Sequence, residues 1–123
     1  MKKIGFLGGG KIGRSMAEHV LERKLAEPVF IYDPYVTEEE ICGVKVVHEL
    51  TEDMVSGLDL VVECAAGEVT AEYGEMILRY CDYMPFSMTA FRDDGLAGRM
   101  RAACGKYNRS VFLPHGAILG LDG

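Results

Sequence analysis

Six consecutive residues carry the chemistry available to this chain: Gly8-Gly9-Gly10-Lys11-Ile12-Gly13. Glycines at 8, 10 and 13 have the G-x-G-x-x-G spacing of a loop that wraps a phosphate. Gly8 lets the chain turn sharply. Gly10 has no Cβ, so backbone N–H groups can approach a pyrophosphate. Gly13 lets the next helix sit close to a sheet. A helix starting here aims its free N–H groups and the positive end of its dipole at the anion. Asp33 stands twenty positions beyond Gly13. Its carboxylate can accept hydrogen bonds from adenosine ribose hydroxyls, and its charge repels a 2′-phosphate, which favours NAD over NADP. Lys11 and Arg14 are neighbouring cations that pull the other way, so NADP stays open.

The surroundings fit that chemistry. A short apolar run, Ile4-Gly5-Phe6-Leu7, leads into the turn, and a helix-like segment, Ile12 to Leu25, leads out. A second apolar run, Val29-Phe30-Ile31-Tyr32, ends on Asp33. The plain alternative is a turn that serves packing alone. Three adjoining glycines would then cost conformational entropy for no return.

The remaining elements alternate, with no internal repeat. Strands are predicted at Lys3–Leu7, Val29–Tyr32, Val44–Val47, Leu58–Cys64, Tyr83–Phe86 and Ser110–Leu113. Helical spacing appears in Ile12, Met16, Ala17, Val20 and Leu21, in Val69, Tyr73, Met76, Ile77 and Tyr80, and in Leu96, Met100, Ala103, Cys104 and Tyr107. Leu50, Met54 and Val55 predict a short helix ending near Gly57, and Thr37 could cap a helical turn over Glu38-Glu39-Glu40. Parallel strands need crossovers. The expected fold is therefore α/β: a doubly wound, mostly parallel six-stranded Rossmann sheet of order 3-2-1-4-5-6.

In such a sheet ligands bind at the carboxyl ends of the strands. Ala65, Ala66 and Gly67 should lie along the cofactor, and Ser87-Met88-Thr89-Ala90 near its nicotinamide; the alternative for each is an ordinary turn. His115 follows the last strand at the same edge but has no visible partner for acid–base work. His19 and His48 read as surface residues. No Ser/His/Asp set, paired carboxylates or metal-ligand spacing is visible, so neither a catalytic nor a metal residue is assigned. The four cysteines, 42, 64, 81 and 104, read as buried reduced thiols.

The chain's 123 residues fit one domain with a real core. A formal net charge of −6 argues against a nucleic-acid partner, which needs a basic face. No apolar run approaches a membrane span, and the start is too short for a signal peptide, which makes the cytoplasm the default location.

With those residues in view, a family resemblance emerges. Asp59-Leu60-Val61-Val62-Glu63-Cys64-Ala65-Ala66 and Glu72-Tyr73-Gly74-Glu75-Met76-Ile77-Leu78 resemble the D-L-V-V-E-A-A strand and Y-x-E-x-I-L helix of L-aspartate dehydrogenases. Gly116-Ala117-Ile118-Leu119-Gly120-Leu121-Asp122 is similar to that family's S-G-A-I-G-G-L-D. The resemblance covers the whole chain but only the N-terminal half of the family's length. It implies oxidation of L-aspartate to iminoaspartate with hydride transfer to NAD or NADP, a product that can feed NAD biosynthesis. It carries cofactor contacts onto the glycine turn (Gly8, Gly10, Lys11, Ile12 and Gly13), onto Asp33 and onto Ala117. The family's catalytic histidine lies in its second domain, so no residue here inherits that role. Three positions depart from the pattern: His115 stands for serine, Leu119 for glycine and Thr89 for glycine.

The expected organisation is a dinucleotide domain over 1–113, with 114–123 opening a connection to a second domain that would supply the amino-acid site. Two rivals remain. One is the equivalent domain of a homoserine or dihydrodipicolinate type of enzyme. The other is a stand-alone nucleotide-sensing module whose apolar tail seals a dimer.

Overall fold

The structure, a computed structural model, describes residues 1–65, 67–86, 94–113 and 118–119. Its elements, in chain order, are β1 (Lys3–Leu7), α1 (Lys11–Arg23), β2 (Glu27–Tyr32), β3 (Glu40–Ile41), β4 (Val44–Val47), α2 (Glu52–Ser56), β5 (Leu60–Glu63), α3 (Gly67–Leu78), β6 (Asp82–Pro85), α4 (Asp94–Tyr107), β7 (Val111–Phe112) and β8 (Ile118–Leu119). They build one sheet of order β3-β4-β2-β1-β5-β6-β7-β8. The six strands expected from sequence keep the order 3-2-1-4-5-6 and pair in parallel. The chain is a doubly wound α/β fold of Rossmann type.

Alternation along the strands explains why helices cover both faces. Ile4 and Phe6 of β1, Ile31 of β2 and Val62 of β5 pack with Ala17 and Val20 of α1. Leu7, Phe30, Tyr32 and Val61 point the other way and pack with α2, α3 and α4 through Val55, Ile77, Leu78, Leu96 and Met100. That period of two puts consecutive residues of one strand into different cores.

The sheet has eight strands rather than six. The two additions are antiparallel two-residue strands at its edges, β3 on β4 and β8 on β7. The helical turn expected over Thr37 to Glu40 is absent. Instead Cys42 and Gly43 both take positive φ, 54° and 80°, and fold Glu40–Ile41 back onto Val44–Lys45. Two successive positive φ angles are what a tight hairpin turn requires.

Two helices pack differently from their sequence stripes. In α1 the buried residues are Gly13, Ala17 and Val20. Ile12, expected on that face, is 58% exposed, and Leu21 is also exposed. The buried stripe runs through Gly13, Ala17 and Val20 at i, i+4 and i+7, and Ile12 lies about 100° round the helix from it. In α3 the buried positions include Thr70 and Gly74 beside Ile77 and Leu78, while Val69, Tyr73 and Met76 only flank them. Gly74 makes room for Met100 of α4, whose Sδ lies 2.8 Å from where a Cβ would sit. The α4 stripe matches expectation, with Leu96, Met100, Ala103 and Cys104 buried.

All four cysteines are free thiols. Cys81 and Cys104 are buried and Cys64 is half-buried, but Cys42 is exposed, because the hairpin turn lifts it off the sheet. His19 and His48 are exposed, as expected. Among the described residues, no helix is long and apolar enough to cross a membrane.

Candidate functional site

The site begins where β1 ends. Gly8 has φ +110° and donates its N–H to the carbonyl of Tyr32 at 2.7 Å. Any side chain there would be strained, and its Cβ would lie 2.9 Å from the carbonyl carbon of Cys64. Gly13 is more constrained: a Cβ would lie 2.1 Å from the Gly8 carbonyl oxygen. These two glycines are therefore demanded by the protein's own packing.

Gly10 is different. Its φ is −77°, which any residue can adopt, and an added Cβ would meet no atom within 4 Å. Among the described residues, no packing contact requires glycine there. The space it leaves open lies at the start of α1, where Gly10 is the N-cap and makes no side-chain capping bond. The first turn contains no acid to offset the helix dipole. N–H groups without intrahelical partners, a positive dipole end and a Cβ position open among the described residues together fit a pyrophosphate.

Asp33 closes the site from the end of β2. One oxygen, Oδ2, accepts the N–H of Gly9 at 2.8 Å. The other, Oδ1, accepts the N–H of Tyr35 at 2.8 Å and that of Val36 at 3.3 Å. The carboxylate thus ties the glycine turn to the loop after β2 and shapes that loop itself. An ionised carboxylate offers about four acceptor positions, so three backbone bonds leave one for a ribose hydroxyl.

Between these parts lies a cleft of about 480 Å³. It is lined by Gly8 from the glycine turn, by Tyr32, Asp33, Pro34 and Tyr35 from the end of β2 and the loop after it, and by Ala65, Glu68, Val69 and Glu72 from the β5–α3 segment. It opens at the carboxyl ends of β2, β1 and β5. The crossovers leaving β1 and β5 go to opposite faces of the sheet there, which is the switch point where such folds take ligands. Ala65 and Asp33 thus both line the cleft, and the Ala65 backbone adjoins Gly8. Lys11 and Ile12 are exposed at the start of α1. Ala66, Ser87, Thr89, His115 and Ala117 lie outside the described residues.

Several lining residues have no signal in the glycine motif. Tyr35 is 90% exposed on the rim. Glu68 and Glu72 are one helical turn apart on α3, a spacing that places both on the cleft wall. Beyond the cleft, Arg14 donates from Nε to the Gly9 carbonyl at 3.0 Å and from Nη1 to Glu38 Oε2 at 3.0 Å, while its Nη2 bonds Glu38 Oε1. The Glu38 bond and charge hold the Arg14 guanidinium above its ordinary pKa and the Glu38 carboxyl below its own.

Beneath the β5 end lies a buried polar group. Thr70 Oγ1 and Tyr83 Oη are 2.6 Å apart, and both residues are fully buried with Glu63. Burial first, and the neighbouring Glu63 charge second, push the Cys64 thiol up to about 12, which keeps it protonated and unreactive. Among the described residues, no group of three or more His, Cys, Asp or Glu side chains could hold a metal ion.

Comparison with known proteins agrees with this geometry. The family model for the NAD-binding domain of homoserine dehydrogenase matches residues 8–114. An L-aspartate dehydrogenase of Archaeoglobus fulgidus is 35% identical over 120 residues, covering 97% of this chain and 48% of that protein. The crystal structure of aspartate dehydrogenase from Thermotoga maritima superposes with a TM-score of 0.74 at 31% identity, covering 99% of this chain and 49% of that one. The WlbA dehydrogenase of Bordetella pertussis, solved with NADH and UDP-GlcNAcA, shares the fold at a TM-score of 0.75 and 18% identity. The chain spans about half the length of the relatives it matches. It belongs to the homoserine-dehydrogenase-type family of NAD-binding domains.

Proposed function

We propose that this chain is the dinucleotide-binding part of an L-aspartate-dehydrogenase-type oxidoreductase and prefers NAD(H) to NADP(H). Gly10 carries the cofactor reading: it is a glycine that no packing among the described residues requires, at a helix start with no side-chain cap, in the same turn as Gly8 of the cleft. Identity to aspartate dehydrogenases along nearly the whole chain supports the substrate class. The family model's own name keeps homoserine as the alternative.

In this reading Gly8, Gly10, Lys11, Ile12 and Gly13 hold the pyrophosphate, and Asp33 receives a ribose hydroxyl. Tyr35 and Val69 flank the adenine, and Ala65 and Ala66 leave room along the dinucleotide. Ser87 and Ala117 are further cofactor contacts in this reading. Asp33, Glu68 and Glu72 give the cleft three carboxylates, which disfavour an added 2′-phosphate. A bound dinucleotide would supply a hydride acceptor, so that aspartate, losing a hydride from Cα and a proton from its amine to solvent, would leave as iminoaspartate. Residues 1–113 form the dinucleotide domain and 114–123 lead toward the part that supplies the amino-acid site. Four unpaired cysteines accord with a reducing compartment such as the cytoplasm.

The test is NADH fluorescence during titration with the purified chain, followed by an assay for aspartate or homoserine oxidation. Saturable binding at one site without turnover is the expected result. An unchanged NADH signal would contradict the cofactor reading, and turnover by the chain alone would contradict the division of labour.

A further inference from the structure

We propose that Glu38 is a specificity-determining residue of the dinucleotide site, acting by occupying Arg14, the cation beside the adenosine ribose. The inference rests on the dinucleotide reading above and extends it to a residue outside the glycine motif.

The geometry runs through a single residue, Gly9. Its N–H is held by Asp33 at 2.8 Å, and its carbonyl is held by Arg14 Nε at 3.0 Å. The guanidinium and the carboxylate that meets the ribose in this reading are thus linked through the two backbone polar groups of one residue. A 2′-phosphate, the group that distinguishes NADP from NAD, would project into this neighbourhood.

A guanidinium there is the natural partner for a phosphate, because its planar fork matches two oxygens at once. In this chain the fork is already filled. Glu38, five residues beyond Asp33 on the same loop, takes both terminal nitrogens with its two oxygens. Three N–H donors of Arg14 are thus committed to Gly9 and Glu38. The pair also cancels the charge of Arg14, so that cation does not offset the cleft carboxylates Asp33, Glu68 and Glu72.

Both side chains of the pair are partly exposed, 41% and 49%. Such a pair is easily exchanged for another, since solvent screens it. Glu38 therefore biases the choice and does not make it absolute. Replacing it by glutamine keeps the length of the side chain, removes the charge and releases the fork toward a phosphate.

The experiment is calorimetric titration of the wild-type chain, Glu38→Gln and the double variant Arg14→Met/Glu38→Gln. The probes are NADH, NADPH, 5′-AMP and 2′,5′-ADP. In Glu38→Gln the affinity for NADPH relative to NADH should rise about tenfold, the scale of one charge-assisted contact, with 2′,5′-ADP gaining over 5′-AMP in parallel. Adding Arg14→Met should abolish that gain. Circular dichroism and thermal melts of each variant establish that the fold is kept. If NADH binds but its ratio to NADPH is the same in wild type and Glu38→Gln, the inference is overturned alone. A gain that survives Arg14→Met overturns it too, because simple removal of negative charge would then suffice. Failure of the folded wild-type chain to bind NADH overturns the underlying dinucleotide reading.

Discussion

The Gly9 N–H lies 2.8 Å from Asp33 Oδ2, so the turn after the first strand is tied to the end of the second before any ligand arrives. One carboxylate thereby holds the glycine turn in shape and, in the function proposed above, presents an acceptor to a ribose. Replacing Asp33 by asparagine keeps the side-chain size and a single acceptor oxygen but removes the charge. NADH affinity should fall and the discrimination against NADPH should shrink, both measurable by parallel titrations. Unchanged discrimination would move the preference elsewhere in the cleft.

Gly10 and Gly13 form a matched pair for separating binding from folding. Gly10→Ala should leave the melting temperature close to wild type, a change within about 0.5 kcal/mol, because the added methyl meets no atom of the described residues within 4 Å. Its NADH affinity should nevertheless drop about tenfold or more, because that methyl enters the pyrophosphate space. Gly13→Ala should destabilise the fold by about 1–3 kcal/mol, since its Cβ would sit 2.1 Å from the Gly8 carbonyl oxygen. Chemical denaturation and ligand titration on both variants check the contrast.

The Thr70–Tyr83 contact predicts a coupled loss in the core. Thr70→Val strands the Tyr83 hydroxyl in a fully buried place and should cost about 1–3 kcal/mol. Adding Tyr83→Phe to that variant should recover part of the loss, because the stranded hydroxyl is gone. A double-mutant cycle by denaturant unfolding measures the coupling, and strictly additive losses would count against the bond.

The cysteines predict both a labelling order and a pH dependence. Cys42 is exposed and should react first with a thiol reagent under native conditions. Burial pushes Cys64 and Cys81 up to about 12 from 9.0, so the folded chain holds these protons more tightly than the unfolded chain does. Their contribution to stability is complete below about pH 9 and is lost as pH rises from there through about 12. Urea midpoints measured across that range should decline with rising pH, and replacing both thiols by alanine should flatten the slope.

Much of this could be read from residue order, and the exceptions have physical reasons. The glycine spacing, the acid after the second strand and the six-strand order were legible because parallel strands force crossovers and leave a regular pattern. The β3–β4 hairpin was not, because Cys42, with φ 54°, is not a residue type that announces a left-handed turn. The depth of Thr70 and Gly74 was hidden for another reason. Apolar periodicity ignores a polar group satisfied by a buried tyrosine and a glycine that a neighbouring Met100 fills. The same scale placed Ile12 inside, whereas the buried stripe through Gly13, Ala17 and Val20 leaves it out. Arg14 and Glu38 are 24 residues apart, and only the folded loop brings them together.

The central claim is that the cleft beside Gly10 and Asp33 takes a nicotinamide dinucleotide, NADH before NADPH. Calorimetric titration of the wild-type chain with both cofactors in parallel tests it most directly. One site per chain with tighter NADH than NADPH is the predicted result. Tighter NADPH would contradict the roles given to Asp33 and Glu38, and binding of neither would reduce the glycine turn to a packing device.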